Sequence, residues 1–461
     1  MSEPVPRTPP KIRRPVPAPL APSPAVSELT AALAAAGADP DSGAAARARL
    51  VAGFWAAHPE TPLLEAAADG QRTVTFLWRG DPDRPAEDVL LFVNRLTDER
   101  DLDASLMRHL PGTDIWHLSY RMSDTWRASY CFLPRAAGET WPWADEDQIA
   151  IRRALDRGLA DPRNPEGCLN RAGNRLSVVQ LPDAPQQPWL ERREGLTARG
   201  DVTMHEAPGG RRVWVYRPPA NAGRAAKDAL PLVVLFDGEV WAGTQSIATT
   251  VDNLIADRLI RPCLIAMPET GGRDRRWQEL DHDGRGGDWV ATELLPWLRE
   301  LAPVSYRADD IVVAGQSLGA YTALRCALEH THLIGGVLSQ SASLWQRELR
   351  TPLPGLLHRL HLYVEVGAQE WVLRAPNAAL AARLAEAGAD VHFVEYDGGH
   401  DYACWRGGIA DGLRVLIGRP RPENTLEGNP SHGNPSAGGR DRDRDRDREE
   451  HDGDEHDEGA V

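Results

Sequence analysis

From about residue 200 onwards, short apolar runs alternate with amphipathic ones, and this alternation restricts the fold more than any other feature. The apolar runs have the length of strands: VWVYRP, LPLVVLFDG, PCLIAMPE, DIVVAGQS, IGGVLSQS, LHLYVEVG and VHFVEYDGG. The amphipathic runs have helical spacing: WVATELLPWLREL, LGAYTALRCALEH and NAALAARLAEAGA. Because strands buried on both faces are apolar throughout, residues 200–419 are predicted to form an α/β domain, a mostly parallel sheet covered by helices on both faces.

The residues before this domain follow a different pattern. Between residues 26 and 69, apolar side chains recur at helical spacing, but after Gly70 apolar and polar side chains alternate in short runs such as RTVTFLWRG and IWHLSYRM. Residues 26–160 are therefore predicted to be a helical segment followed by a small antiparallel β-sandwich. Residues 161–199 are polar and rich in Pro, which predicts a linker between the two domains.

Both ends of the chain are predicted to be disordered. Residues 1–25 are rich in Pro and favour extended, solvated backbone, which predicts a flexible arm. Residues 420–461 have almost nothing to bury, which predicts an acidic tail. From residue 421 this tail holds 13 acidic and 6 basic residues, and so supplies −7 of the formal net charge of −15. The remaining residues are only mildly acidic, which argues against nucleic acid as a partner.

The cysteines and the hydropathy suggest a compartment. Five widely spaced cysteines without a C-x-x-C motif predict reduced, mostly buried thiols: Cys131, Cys168, Cys263, Cys326 and Cys404. No segment has the pattern of a signal peptide or the length of a membrane span, so a cytoplasmic protein without a membrane partner is expected. No zinc or calcium spacing is present either, and no protein metal site is predicted.

The motif Gly315-Gln316-Ser317-Leu318-Gly319 gives the α/β domain its first chemical candidate. It follows a predicted buried strand, residues 311–315, and precedes a predicted helix, residues 318–330. A serine on such a sharp strand-to-helix turn is exposed, and the helix N-terminus directs N–H groups at the reacting centre. Ser317 is therefore predicted to be the nucleophile of an α/β-hydrolase.

A serine hydroxyl needs a base, and the base needs a group that orients it. His400 fits the base, because it follows the last predicted strand of the domain. Glu370 follows the strand before that one and is preferred as the acid over other carboxylates, since Asp397 and Asp401 flank His400 too closely. A Ser-His dyad without an essential acid is the alternative.

Stabilisation of the tetrahedral intermediate requires two hydrogen-bond donors. The backbone N–H of Leu318 is one candidate. The other lies in the loop after LPLVVLF, which reads Asp237-Gly238-Glu239, and the Glu239 N–H is preferred. An ordinary Asp-Gly turn is the alternative explanation for this loop.

Several further motifs, taken in order, resemble the enterochelin (ferric enterobactin) esterases, whose hydrolase domain belongs to the esterase D group. They are WRG through GTDIWH, SYCFLP, DPRNP, LFDGEVWA, RRWQEL, ELLPWLR, AGQSLGA and DGGHDYACWRGG. The resemblance covers both predicted domains and leaves out only the two tails. It implies a cytoplasmic hydrolase that opens the tri-serine lactone of an iron-loaded catecholate siderophore. It implies no cofactor, because the substrate carries the iron.

A triply anionic ferric catecholate requires positive charge and flat apolar surface near the triad. The candidates lie in or beside the catalytic loops: Arg273, Arg275, Arg276, Trp241, Trp405 and Arg406. Arg276 and Glu279 occupy the R-x-x-E-L pattern of the family. Because 50 of the 52 basic residues are Arg, a structural role remains an alternative for each arginine. Two other functions stay open: an esterase or acyltransferase acting on another natural-product ester, and a siderophore- or glycan-binding protein with an idle hydrolase domain.

Overall fold

The computed structural model describes most of the chain between residues 10 and 418. The described residues are, in order, 10, 12–36, 43–142, 148–220, 229–350 and 354–418. All of them belong to one unit, Met1–Arg419. The predicted acidic tail, residues 420–461, lies outside the described residues.

The N-terminal part consists of short helices and two antiparallel sheets. Its elements are α1 (Pro24–Ala36), α2 (Gly43–Ala57), β1 (Leu63–Ala66), β2 (Gln71–Arg79), β3 (Ala86–Val93), β4 (Arg108–His109), β5 (Ile115–Ser123), β6 (Arg127–Ala136), α3 (Gln148–Leu155), β7 (Gly167–Leu169) and β8 (Arg175–Gln180). The strand orders are β1-β2-β5-β4 and β3-β6-β8-β7. Side chains of both sheets, including Phe76, Leu91 and Tyr130, share one buried core, which confirms the predicted sandwich.

The segment 161–199, predicted as a linker, is only partly a linker. It supplies β7 and β8 to the second sheet, where Arg127 of β6 pairs with Gln180 of β8. This strand was missed because RLSVVQ is short and lies among Pro-rich residues, whereas the strand that stabilises it lies about fifty residues earlier. The rest of the segment connects the domains, and Asn253 Nδ2 donates hydrogen bonds to the carbonyls of Trp189 and Glu191 at 3.0 and 2.8 Å.

The described part of the N-terminal arm is ordered along the sandwich, which corrects the predicted flexibility there. Arg121 N donates to Pro19 O at 2.7 Å and Ala21 N to Ser119 O at 3.1 Å, so the arm pairs with an edge of β5. Arg14 donates to the carbonyl of Arg95 at 2.7 Å. The Pro content correctly predicted extended backbone, but the partners that anchor it lie far away in the sequence.

The C-terminal part is one large sheet with helices on both sides. Its elements are β9 (Asp201–Ala207), β10 (Arg211–Arg217), β11 (Leu232–Leu235), α4 (Ile247–Ala256), β12 (Leu264–Pro268), α5 (Arg273–Leu280), α6 (Gly286–Trp289), α7 (Leu295–Leu301), β13 (Ile311–Gln316), α8 (Leu318–Glu329), β14 (Gly336–Gln340), α9 (Pro354–Leu357), β15 (His361–Gly367), α10 (Arg374–Glu386), β16 (Asp390–Tyr396) and α11 (Tyr402–Ile417). The eight strands follow the order β16-β15-β14-β13-β11-β12-β10-β9. From β16 to β12, each pair of adjacent strands is parallel. Beyond β12, β10 and β9 extend that edge of the sheet as antiparallel strands.

The near-continuous apolar strands separate two cores. Val313 of β13 packs in one core with Leu324 of α8, while its neighbour Val312 packs in the other with Leu254 of α4 and Leu413 of α11. This arrangement confirms the predicted α/β-hydrolase sheet. Because parallel strands end at the same edge, the loops after β11, β13, β14, β15 and β16 gather there.

The remaining physical predictions concern thiols and membranes. All five cysteines are free and buried, as predicted. Burial raises the pKa of the Cys168 and Cys263 thiols to about 12, so these sulfurs are not reactive thiolates. Within the described ranges, none of the helices combines the length and the apolar character needed to cross a bilayer.

Candidate active site

Ser317 lies on a tight turn between β13 and α8. Its backbone has φ 58° and ψ −116°, an unfavourable conformation for a residue with a Cβ that is retained only where the surroundings enforce it. Close packing explains Gly315, two residues before the serine, since a Cβ at this position would lie 2.5 Å from the carbonyl carbon of Gly319. The predicted strand-to-helix turn is therefore present, with the serine at the carboxyl edge of the sheet.

His400 and Glu370 form a hydrogen-bonded pair at the same edge. His400 Nδ1 lies 2.6 Å from Glu370 Oε2, and Glu370 is 1% exposed. The other carboxylate oxygen, Oε1, accepts hydrogen bonds from Ser341 Oγ at 2.5 Å and Gly367 N at 2.9 Å. These three contacts fix both the carboxylate and the side of the imidazole that faces it.

Burial and neighbouring charges act against each other in this pair. Burial alone would raise the pKa of Glu370, but His400, Arg95 and the Ser341 hydroxyl together lower it. Burial lowers the pKa of His400, and Glu370 opposes this only in part. The pair therefore favours an ionised carboxylate beside a neutral imidazole at neutral pH, which is the state that a general base requires.

The loop after β14 connects Ser317 to this pair. Ser317 N donates to Gln340 O at 2.9 Å, and Ser343 N donates to Ser317 O at 3.1 Å. Ser317 Oγ itself is 3.2 Å from Ser343 Oγ, and in the described part of the chain it makes no hydrogen bond with His400. The bond between nucleophile and base is often long in free enzymes and shortens when substrate binds. Sequence reasoning missed Ser341 and Ser343, although Ser341 ends the predicted strand IGGVLSQS and Ser343 comes two residues later.

The two predicted oxyanion donors have free N–H groups. Neither Leu318 N nor Glu239 N has a hydrogen-bond acceptor among the described residues. The loop before Glu239 is tightly packed, because a Cβ on Gly238 would lie 2.1 Å from Met267 O. Asp237 has φ 63°, which is strained for a residue other than glycine.

Two arginines hold Asp237, which is 1% exposed. Arg276 donates to both of its carboxylate oxygens, Nε to Oδ1 at 2.7 Å and Nη2 to Oδ2 at 2.8 Å. Arg171 Nη1 lies 3.0 Å from Oδ1. Burial alone would raise the pKa of Asp237, but these two guanidinium groups lower it far below its ordinary value. Arg276 was predicted to bind substrate; its guanidinium is partly buried and neutralises a carboxylate of the protein, and the contact to substrate stays a prediction.

The two predicted tryptophan contacts are corrected. Trp241 is 1% exposed and donates from Nε1 to Gln316 Oε1 at 2.6 Å. Trp405 is 3% exposed, donates to Ser341 Oγ at 3.1 Å, and packs edge-on against His400 with ring centroids 4.6 Å apart. A buried indole N–H requires a hydrogen-bond partner inside the protein, and here those partners, Gln316 and Ser341, are residues close to the catalytic ones. Neither offers a surface to a ligand.

The three remaining predicted arginines differ in their surroundings. Arg406 bridges the two domains, since Nη1 donates to Gly167 O at 3.0 Å and Nε to Gln187 Oε1 at 3.2 Å. Arg273 and Arg275 of α5 are exposed. Arg275 lies 3.6 Å from Glu279 of the same helix. Only Arg273 and Arg275 therefore keep the exposure expected of a contact to an anionic ligand.

Two half-buried tryptophans near Ser343 escaped the sequence reasoning. The rings of Trp277 and Trp345 lie 6.0 Å apart, tilted by 53°. Trp345 comes two residues after Ser343, and Trp277 belongs to α5, the helix that carries the exposed arginines. The pair supplies the partly exposed aromatic surface that Trp241 and Trp405 do not.

The sandwich also contributes to the site, which sequence reasoning did not anticipate. Asn94 Nδ2 donates to His400 O at 2.9 Å. The Arg95 guanidinium lies over the ring of Trp371, 5.6 Å from its centroid, and its charge lowers the pKa of His400 further. Asn94 and Arg95 follow β3, but nothing in their local pattern indicated contact with the other domain.

One group of side chains has the spacing to hold a metal ion in the described part of the chain. The ligand atoms of Asp288, Glu329 and His330 lie within 4.8 Å of one another. Glu329 and His330 lie at the C-terminal end of α8, whereas Ser317 precedes its N-terminus. A helix of 12 residues, about 18 Å long, separates them. This group is therefore not part of the catalytic arrangement.

Comparison with known proteins agrees with this geometry over both domains. Residues 73–190 match the family model described as "Enterochelin esterase, N-terminal", and residues 205–416 match the model described as "Putative esterase". The iron(III) enterobactin esterase of Escherichia coli strain K12 is 30% identical over 383 residues, covering 78% of this chain and 94% of the relative. The iron(III) salmochelin esterase of Escherichia coli O6:H1 is 32% identical over 416 residues, covering 82% and 98%.

Solved structures give the same result. The ferric enterobactin esterase of Salmonella typhimurium has a TM-score of 0.67 at 30% identity, covering 79% of this chain and 98% of that chain. The enterobactin esterase of Shigella flexneri, solved in the presence of enterobactin, has a TM-score of 0.64 at 29% identity, covering 79% and 97%. With both domains matched and nearly the full length of these relatives covered, the chain belongs to the enterochelin (iron(III) enterobactin) esterase family.

Proposed function

We propose that this protein is a serine esterase that hydrolyses the ester bonds of a ferric catecholate trilactone siderophore of the enterobactin type, and so releases iron. The observation that carries the proposal is the 2.6 Å hydrogen bond between His400 and Glu370. That pair and Ser317 lie on loops at the same carboxyl edge of the sheet, in a chain about 30% identical to iron(III) enterobactin esterases.

The first half of the reaction forms an acyl-enzyme. Glu370 accepts a hydrogen bond from the Nδ1–H of His400, which leaves Nε2 without a proton and able to take the proton of the Ser317 hydroxyl. Ser317 Oγ attacks the ester carbonyl carbon, and the carbonyl electrons move to the oxygen. When the tetrahedral intermediate collapses, the serine oxygen of the lactone leaves and receives the proton from His400.

The second half returns the enzyme. Water attacks the acyl-enzyme while His400 takes a proton from it, and the released carboxylic acid leaves Ser317 with its proton restored. In both halves the N–H groups of Leu318 and Glu239 stabilise the negative oxygen. A donor of this kind contributes about 10²–10³-fold in kcat. No cofactor is needed, and the iron enters and leaves with the siderophore.

Cutting the lactone explains how hydrolysis releases iron. The ring holds three catechols near one another, so each has a high effective concentration at the metal. Once the ring is open, each later coordination step must order a flexible linker, and the iron is held less tightly. An esterase therefore lowers the affinity for iron without binding the metal itself.

The charge of the substrate suggests where it binds. A ferric tricatecholate carries three negative charges, and Arg273 and Arg275 are the exposed cations of α5. Trp277 belongs to the same helix and pairs with Trp345, and these two half-buried rings match the flat faces of catechols. We place the catecholates over this helix, with the lactone towards Ser317.

Product analysis tests the proposal. The protein is incubated with ferric enterobactin, and the mixture is examined by mass spectrometry for the linear trimer and for dihydroxybenzoyl-serine. The wild-type protein should form both, and Ser317→Ala should form neither. Turnover of simple esters with intact siderophore would contradict the proposed substrate and favour another natural-product ester.

A further inference from the structure

The β7–β8 hairpin of the sandwich reaches across to the loop that follows β11 in the other domain. Arg171, at the tip of the hairpin, lies 3.0 Å from Asp237 Oδ1 through Nη1. Its Nη2 donates to Glu239 Oε1 at 2.6 Å and to Thr270 Oγ1 at 3.0 Å. One guanidinium from the sandwich thus binds the side chains on both sides of Gly238.

A second arginine completes the arrangement from within the hydrolase domain. Arg276 of α5 binds both oxygens of Asp237, and its Nη2 lies 3.4 Å from Gln316 O, next to Ser317. The loop is therefore tied to the nucleophile turn by Arg276 and to the sandwich by Arg171.

This loop needs such support, because its backbone is strained. Asp237 has φ 63°, a conformation that a residue with a Cβ keeps only when its contacts enforce it. Its carboxylate is fully buried, and a buried carboxylate must be paired. Removing one of its two cations should allow the loop to move.

The side chains of Asp237 and Glu239, on either side of Gly238, are both anchored to the guanidinium of Arg171. On one side Arg171 binds the carboxylate of Asp237, and on the other it binds that of Glu239. Thr270 adds a backbone N–H to Glu239 Oε2 at 3.1 Å and a hydroxyl to Oε1 at 2.7 Å. The direction of the Glu239 N–H follows from these anchors.

We propose that Arg171 is a positioning residue through which the sandwich domain orients the Glu239 N–H towards the oxyanion. The inference rests on the proposed function above. It assigns a catalytic contribution to the docking of the N-terminal domain, because a residue of that domain holds part of the active-site backbone in place. Arg171 acts through the loop and does not need to touch the siderophore.

The test separates positioning from substrate binding by using a small uncharged ester, p-nitrophenyl butyrate, with the full-length chain. For Arg171→Met we expect kcat to fall at least tenfold while KM changes less than threefold. The affinity for an alkyl boronic acid, whose tetrahedral adduct places an oxygen at the oxyanion position, should fall by a similar factor. Arg171→Lys keeps the charge but loses the two-pronged contact, and should give an intermediate loss.

Gln245→Ala is the matched control. Gln245 Nε2 donates to Leu169 O at 2.7 Å, so it joins the same hairpin region to the hydrolase domain without contacting Asp237 or Glu239. This variant should keep wild-type kcat and boronic acid affinity. Titration of each variant with a fluorophosphonate counts folded, competent sites, and rates are expressed per titrated site.

Three outcomes would overturn the inference. The first is wild-type kcat on p-nitrophenyl butyrate in Arg171→Met, or in Arg171→Lys if the Met variant does not fold. The second is a higher KM for ferric enterobactin alone, which would make Arg171 a substrate contact. The third is an equal loss of kcat in Gln245→Ala, which would show that any weakened contact between the domains lowers kcat, whether or not it involves Arg171. The proposed function fails separately, when the wild-type protein hydrolyses p-nitrophenyl butyrate but not ferric enterobactin.

Discussion

Glu370 Oε2 accepts a hydrogen bond of 2.6 Å from His400 Nδ1, and the two residues lie on loops that follow the paired parallel strands β15 and β16. The bond fixes which nitrogen of the imidazole faces the serine. An amide in place of the carboxylate would favour the wrong tautomer. We therefore expect Glu370→Gln to lower kcat on simple esters by about 10²–10⁴-fold with little change in KM.

Steady-state kinetics of Glu370→Gln on p-nitrophenyl butyrate measures this loss. Glu348→Gln serves as the control, since Glu348 is exposed and pairs with Arg383 on the surface. Near-wild-type activity in Glu370→Gln would show that Ser317 and His400 suffice as a dyad, which was the alternative left open by the sequence.

The pH dependence of kcat/KM should reflect the burial of His400. Burial lowers the pKa of His400, and the base works only when neutral, so the active form persists to lower pH than for a solvated histidine. We expect the acidic limb of kcat/KM to have its midpoint below about pH 6.5. In Glu370→Gln the midpoint should move lower still, because the carboxylate raises the pKa of His400. A wild-type midpoint above pH 7 would contradict this description of the site.

The arginines of α5 should separate into two kinetic classes. Arg273 and Arg275 are exposed, so Arg273→Gln combined with Arg275→Gln should raise KM for ferric enterobactin about tenfold, an effect that diminishes in high salt. Hydrolysis of p-nitrophenyl butyrate should not change. Arg276→Gln should instead lower kcat on both substrates, because Arg276 holds Asp237. If the double variant and Arg276→Gln had the same effects on both substrates, the division of these arginines into two classes would be wrong.

The buried carboxyl group of Glu365 should make the stability of the protein, rather than its catalysis, depend on pH. It is 2% exposed, Gln340 Nε2 and Tyr363 Oη donate to it at 2.6 and 3.0 Å, and burial raises its pKa to about 8. Because the folded-state pKa is raised, the protonated form stabilises the fold below about pH 4.5, and this contribution is lost as the pH rises through 8.

Glu365→Gln should remove that loss, since the amide stays neutral at every pH. At about 1.4 kcal/mol for each unit of pKa difference, we expect the variant to exceed the wild type in free energy of unfolding by up to about 5 kcal/mol at pH 9. At pH 5 the two should be nearly equal. Urea unfolding at both pH values measures this, and the same difference at pH 5 and pH 9 would refute the raised pKa.

The residues that could be predicted from the sequence share one property. Ser317, Glu370 and His400 each come shortly after an apolar run that forms a parallel strand, and parallel strands bring their carboxyl ends to one edge. The order of the runs was therefore enough to place these side chains near each other. The same reasoning located the loop that holds Glu239.

The residues that were missed or misassigned depend on contacts that no local pattern encodes. Arg171 lies 68 residues from Glu239 and in the other domain, and a single arginine is uninformative in a chain whose cations are nearly all arginine. Trp241 and Trp405 were expected to face the substrate because they adjoin catalytic loops. Adjacency in sequence does not determine whether a ring points outwards, and buried acceptors, Gln316 and Ser341, hold both indoles inside.

Labelling with a fluorophosphonate, followed by peptide mapping, tests the central claim that the hydrogen-bonded His400 activates Ser317. The account predicts one label per chain, on Ser317, lost in Ser317→Ala and strongly slowed in His400→Ala, with hydrolysis of ferric enterobactin lost in parallel. A label on another residue, or undiminished hydrolysis of ferric enterobactin by Ser317→Ala, would contradict it.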